Sequence, residues 1–210
     1  MPSDKVFFRE MELRFPHALH VKDVGIECAK CHSPEKHKMR IVTKSECMKC
    51  HHESKDIDCG HCHKAQQALY EGKVKAYGVT PAPDVMAAGK TKCTECHELK
   101  KGTQTVLTVK AKCEGCHDAK YGKMLLDWKQ AITKQENAIA VALEEAKEYV
   151  ARTKKAGRDV SKEETLVRQA DANYQAVSAG RGVHNHKLSR EMLRAAQADL
   201  DKVLAAKRKK

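Results

Sequence analysis

Cys47-Met-Lys-Cys50-His51-His52-Glu-Ser-Lys-Asp-Ile-Asp-Cys59-Gly-His61-Cys62-His63 contains one five-residue pattern, Cys-x-x-Cys-His, twice in close succession. The pattern occurs three more times, as Cys28-Ala-Lys-Cys31-His32, Cys93-Thr-Glu-Cys96-His97 and Cys113-Glu-Gly-Cys116-His117. These five motifs use all 10 cysteines of the 210-residue chain. A zinc site needs two Cys-x-x-Cys pairs, or one pair with two histidines at set spacing, and does not require His after each second Cys. A thioredoxin-like pair occurs once, at a helix start. A disulfide framework does not repeat a single spacing five times.

The remaining chemistry for this spacing is covalent haem attachment. Two thiols three residues apart reach the two vinyl groups of one haem edge, and the following His lies beneath the ring with its imidazole toward the iron. The sequence therefore predicts five haem c groups. They would be attached at Cys28, Cys31, Cys47, Cys50, Cys59, Cys62, Cys93, Cys96, Cys113 and Cys116, with His32, His51, His63, His97 and His117 as proximal ligands.

Composition agrees with such an interior. Aromatic residues make up 4% of the chain, with 3 Phe and 1 Trp, which is little material for an ordinary core. Five apolar porphyrins would fill it. The formal charge is +12. Haem propionates would add about −10 and five ferric irons about +5, so part of the basicity offsets the cofactor. With no RNA-binding or zinc-finger signature, nucleic acid is not an expected partner. No apolar run approaches the length of a transmembrane helix. Thioether attachment takes place outside the cytoplasm. The expected location is therefore periplasmic or extracellular, after removal of a signal peptide that Met1–Phe8 does not resemble.

The sequence predicts four regions. Residues 1–64 hold three motifs and 93–122 hold two. Between them, 65–92 is punctuated by Gly72, Gly78, Pro81, Pro83 and Gly89 like a linker. Residues 123–210 lack cysteine and read as helix. Trp128, Ile132, Ile139, Leu143, Ala146 and Val150 form one apolar stripe, with Gly157 as a stop. Ser161-Lys-Glu-Glu164 reads as a capping box opening a second helix, with Val167, Ala170, Tyr174 and Val177 on one face and Gly180 closing it. A third helix starts near Ser189 and carries Leu193, Ala196, Leu200 and Val203. The expected fold is mainly α with long irregular stretches: a haem-filled core and a carboxy-terminal three-helix segment, through which self-association is possible.

Seven histidines lie outside the proximal set: His17, His20, His37, His52, His61, His184 and His186. Bis-histidine coordination of five irons needs five of them. Phe15-Pro-His17-Ala-Leu-His20 resembles the start of the low-potential class III cytochromes c, a likeness that spans residues 5–64 and is greatest to the trihaem members. The resemblance implies that His17 faces the haem of Cys28–Cys31. It implies that His20 faces one of the next two, by trihaem analogy that of Cys47–Cys50. Thr43 stands where that family places a third distal His, which leaves His37 and His52 as candidates. His61 lies inside its own motif, where it is poorly placed for its own iron.

Arg181-Gly-Val-His184-Asn-His186, followed by Leu193–Leu200, resembles the carboxy-terminal region of ammonia-forming nitrite reductases and octahaem cytochromes; the likeness covers residues 180–204. It implies that His184 is a distal ligand in the second haem cluster, with His186 in a supporting or surface position. Helix lengths bear on which haem. A helix from 123 to 156 spans about 50 Å and its return from 161 to 179 about 28 Å, while an extended loop of eight residues reaches about 26 Å. The haem of Cys113–Cys116 sits immediately before the first long helix, so chain connectivity makes it the expected target, and the loop's reach just suffices. If the first helix stays straight, the haem of Cys93–Cys96 or one in a neighbouring subunit takes its place. The Cys-x-x-Cys-Lys motif of many such reductases is absent.

These readings converge on electron transfer between redox partner proteins through five low-potential haems, as in anaerobic respiration, with no catalysis. Two alternatives stand beside it. One is a small reductase of a nitrogen or sulfur oxyanion with one open iron. The other is a subunit of an extracellular cytochrome filament.

Overall fold

The computed structural model describes residues 7–8, 13–36, 39–51, 59–98 and 105–208. The fold is mainly helical, as the sequence predicts, and the chain divides into two compact units, Met1–Ile57 and Asp58–Lys210. His37 and His52 lie outside the described residues.

The described residues of the first unit hold little regular structure. Two short strands, β1 (Phe7–Phe8) and β2 (Leu13–Arg14), pair antiparallel. A π-turn at Leu19–Asp23 follows, then a 3₁₀ turn at Cys28–Lys30 that carries the first motif. A lone bridge between His32 and Arg40 closes that loop. Helix α1 (Lys44–His51) carries the second motif. Thr43, in the place of the class III histidine, instead starts this helix, its N–H donating to Glu46 Oε2 at 2.7 Å. Among the described residues whose burial is defined, none in this unit is buried.

The second unit contains the apolar core. A 3₁₀ turn at Cys59–His61 leads into α2 (Lys64–Tyr70), α3 (Val85–Ala88), α4 (Cys93–Cys96) and α5 (Val106–Cys116). Three long helices follow: α6 (Ala119–Lys155), α7 (Ser161–Gly180) and α8 (His186–Arg208), with a 3₁₀ turn at Gly182–Asn185 before the last. Helix α7 runs back along α6, as the Lys147–Asp171 and Lys154–Glu164 pairs show. Helix α8 then runs parallel to α6, with His186 beside Trp128 and Lys207 bonded to Glu145. Ile132, Ile139, Leu143, Val167, Ala170, Val177, Leu193, Ala196, Leu200 and Val203 are all buried, so the predicted stripes form the bundle interior.

Three local expectations change. Helix α7 is opened by Asp159, whose Oδ1 accepts from the Ser161 N–H at 3.0 Å and its hydroxyl at 2.6 Å, so Ser161 is inside the helix and does not cap it. Helix α8 starts at His186, not near Ser189, because Asn185 Oδ1 accepts from the Leu188 N–H at 3.2 Å. Trp128 leaves the buried stripe and covers His186 instead.

The unit boundary lies at 57/58 and not at 64/65, and residues 65–92 are no linker. Leu69 is 0% exposed and packs in the bundle core. Gln66 Nε2 donates to Ala179 O at 2.9 Å. Tyr77 N–H donates to Asn173 Oδ1 at 2.9 Å, and Asn173 Nδ2 returns a bond to Tyr77 O. The glycines that punctuate the segment make tight turns over the bundle: Gly72 and Gly78 have φ of +65° and +71°. The close approach of α2 and α7 is set by Gly180, where a Cβ would come within 2.7 Å of Leu69 Cδ2.

Replacing Leu69 with Ala is therefore expected to destabilise the second unit by about 2–5 kcal/mol, measured by chemical denaturation. A loss well below 1 kcal/mol would mean that 65–92 lies on the bundle without contributing to it.

Candidate functional site

Each Cys-x-x-Cys-His motif sits on a single turn of helix or a helix end. Cys28–Lys30 and Cys59–His61 are 3₁₀ turns, Cys93–Cys96 is one α-turn, and the motifs of Cys47 and Cys113 close α1 and α5. This winding brings the two thiols of a motif to one side, and the histidine follows at the helix end. In four motifs the His N–H donates to the first cysteine's carbonyl: His32 to Cys28, His63 to Cys59, His97 to Cys93 and His117 to Cys113, at 2.8–2.9 Å. All ten cysteines are free thiols, exposed or half-buried.

The motifs lie near one another within each unit. Burial pushes the Cys31 thiol above its usual value, and the nearby Cys47, Cys50 and Cys28 add to it. Burial also raises Cys96, with Cys113, Glu95 and Cys116 contributing. Burial raises Cys93 too, and the Cys59 thiol, within hydrogen-bonding reach, reinforces the shift. The first two motifs are thus neighbours, and the last three form a chain from Cys59 through Cys93 to Cys113. Tyr70 lies beside Cys93 and Cys96, and its hydroxyl donates to Thr91 O at 3.0 Å. Burial and Asp84 push the Tyr70 phenol up to about 12.

Three motif histidines face a second histidine. His17 and His32 have ring centroids 6.2 Å apart with planes 15° from parallel. His20 and His51 are 5.8 Å apart, and His97 and His184 are 6.1 Å apart. An imidazole nitrogen binds a metal ion at about 2 Å, so two imidazoles on opposite sides of one ion hold their centroids about 6 Å apart. All three spacings match that value. Trp128 and His186, which stack face to face, sit closer, at 4.5 Å.

The tautomers of two of these histidines are fixed by their neighbours. His20 Nδ1 is 3.0 Å from Pro16 O, and His184 Nδ1 is 2.9 Å from Gly180 O and 3.0 Å from Arg181 O. A carbonyl only accepts, so Nδ1 carries the proton in both, leaving the Nε2 lone pair for a ligand. Both acceptors are reached through the same four-residue step back along the chain, from 20 to 16 and from 184 to 180. His32 Nδ1 is buried with no hydrogen-bond partner.

The structure brings three of the candidate histidines to motif histidines. His17 meets His32, and His20 meets the His of the second motif. His184 meets His97, not His117. The reason is the continuity of α6: a Cβ on Gly182 would come within 2.8 Å of Ile132, which lies about 20 Å along that helix from its start beside His117. His117 instead packs against Tyr121 at 4.5 Å. His186 lies face to face with Trp128, their planes 11° apart. The sequence reading places Trp128 in the apolar stripe and Asn185 only within the Gly-Val-His-Asn segment, with no role for either at the site.

The residues present fit haem. Each motif offers two free thiols, and three of the five present an imidazole pair at metal-spanning distance. Among the described residues, no three His, Cys, Asp or Glu side chains converge as a self-contained metal site. No described helix is long and apolar enough to cross a membrane. Comparison with protein-family models, curated proteins and solved structures finds no match to this chain.

Burial holds His186 below the usual histidine range, with Arg190 adding to the shift and Asp84 opposing it. The folded chain therefore binds this proton less tightly than the unfolded chain. Stability should be full above about pH 6.5 and fall as the pH drops below it. Denaturation midpoints from pH 7.5 to 5 should show this slope, and His186→Asn should flatten it. An equal slope in the variant would remove His186 as its source.

Proposed function

We propose that the chain is a pentahaem c-type cytochrome that transfers electrons between redox partner proteins in the periplasm or outside the cell. The observation that carries the reading is the set of three imidazole pairs, each joining a motif histidine to a histidine elsewhere in its own unit. Haem iron held between two histidines changes between ferric and ferrous states at low potential and supplies the electron-carrying chemistry.

The chain's own part is attachment, orientation and spacing. The thiols of Cys28 and Cys31, and of the four equivalent pairs, would form the thioether bonds. His32, His51, His63, His97 and His117 would bind from the motif side, and His17, His20 and His184 from the opposite side of the first, second and fourth groups. The Pro16 and Gly180 carbonyls keep His20 and His184 in the ligating tautomer. Tyr70 and the half-buried Cys96 mark a sheltered wall beside the fourth motif. The absence of buried residues among those defined in the first unit, beside a full apolar core in the second, is what a group supplying its own apolar interior requires. A histidine on both sides of an iron leaves no coordination position for a substrate, so at these three motifs the arrangement favours electron transfer over catalysis.

Intact mass of protein matured in a host that attaches haem should show five covalent haem additions, and each tryptic peptide bearing a motif should carry one. Unmodified thiols at any motif would reduce the count, and five free pairs would overturn the function.

A further inference from the structure

His184 and His97 come from distant parts of the chain, and something must hold them at 6.1 Å. His184 sits in the turn between α7 and α8, while His97 follows α4 at the end of a long excursion that starts with α2. The residue next to His184 joins the two. Asn185 is 2% exposed. Its Nδ2 donates to Leu69 O at 3.1 Å and to Ala82 O at 2.9 Å, using both amide hydrogens. Its Oδ1 accepts from Leu188 N–H at 3.2 Å and starts α8.

Both carbonyls lead directly to the fourth motif. Leu69 is followed by Tyr70, whose carbonyl accepts from Asp84 N–H at 2.9 Å and whose hydroxyl donates to Thr91 O at 3.0 Å. Thr91 precedes Cys93 by two residues. The path from Asn185 to the motif thus runs through one side chain and two short hydrogen-bonded steps. Ser189 Oγ, donating to Gly182 O at 2.9 Å, fixes the other side of the turn.

We propose that Asn185 is the positioning residue that holds His184 opposite His97, so that its amide sets the axial geometry of the Cys93–Cys96 haem. This rests on the assignment of haem to that motif. Asn185 touches neither the iron nor the ring and acts only through His184.

The bundle supplies its own control. Asn173 is 0% exposed and ties the same excursion to α7 through Tyr77, but it lies about three turns of helix from His184. An asparagine that merely stabilises the packing should behave alike at either position. A positioning residue should not.

The test uses the haem-loaded protein with Asn185→Ser, Asn185→Ala, Asn173→Ala and His184→Ala. Serine can still cap α8 but is too short to reach Leu69 O and Ala82 O, so it removes the bridging bonds while retaining the helix start. Low-temperature EPR and potentiometric titration would read each haem. Asn185→Ser should alter one low-spin signal and shift one midpoint potential, and these should be the same ones lost in His184→Ala. Asn173→Ala should lower the melting temperature and leave all signals in place. If Asn185→Ala does not fold, Asn185→Ser alone carries the comparison. Wild-type signals and potentials in folded Asn185→Ser would overturn this role while leaving the proposed function intact. A wild-type protein with no haem on the Cys93–Cys96 peptide would overturn both.

Discussion

An iron bound by one imidazole on each side fixes the separation of two chain segments to a few tenths of an ångström. In this account every other feature follows from that constraint. A Cys-x-x-Cys-His turn places one histidine locally, through the motif's own backbone bonds. In the proposed reading the second histidine comes from elsewhere in the chain, and the fold brings the two rings together. In the first unit the means is short: Phe15–His20 folds back so that its two histidines, three residues apart, face His32 and His51 separately. In the second unit it is long, and three helices totalling most of the carboxy-terminal half serve to present one turn, Gly182–Asn185, to His97.

The apolar core belongs to the second unit. The buried cluster runs through Leu69 and the α6–α8 bundle. The first unit contributes no buried residue among those defined. Such a division suits a chain in which a conventional core builds the scaffold and bound macrocycles complete the remainder. Glycine marks the junctions. Gly180 and Gly182 carry no side chain where α7 meets Leu69 and the turn meets Ile132, and a Cβ at either would come within 3 Å of those residues. The distal turn can therefore lie against the bundle and still face outward to the motif.

Much of this was legible in the sequence. The motif spacing and the bundle stripes needed only local rules, since each pattern lies within a few residues, whereas the expectation for His17 and His20 came from a family resemblance. The partner of His184 was harder, because it depends on where a 37-residue helix stays straight. Chain connectivity favoured His117, and the packing of Gly182 on Ile132 favoured His97. Residues 65–92 were misread for a related reason: Gly72 and Gly78 have the composition of a linker, but Leu69 and the Tyr77–Asn173 exchange fasten the segment to α7. Composition reports turns and does not report what the turns pack against. Asn185 left no trace in periodicity, because its role lies in two carbonyls more than a hundred residues earlier.

The central claim is that the three histidine pairs are axial pairs on iron. EPR of the oxidised, haem-loaded protein tests it most directly, since spin state reports whether an iron has strong ligands on both sides. The account predicts at least three distinct low-spin ferric signals, with the near-parallel rings of His17 and His32, 15° apart, giving a rhombic spectrum and the 52° pair of His20 and His51 a more axial one. A spectrum dominated by high-spin ferric iron, with fewer than three low-spin centres, would contradict it.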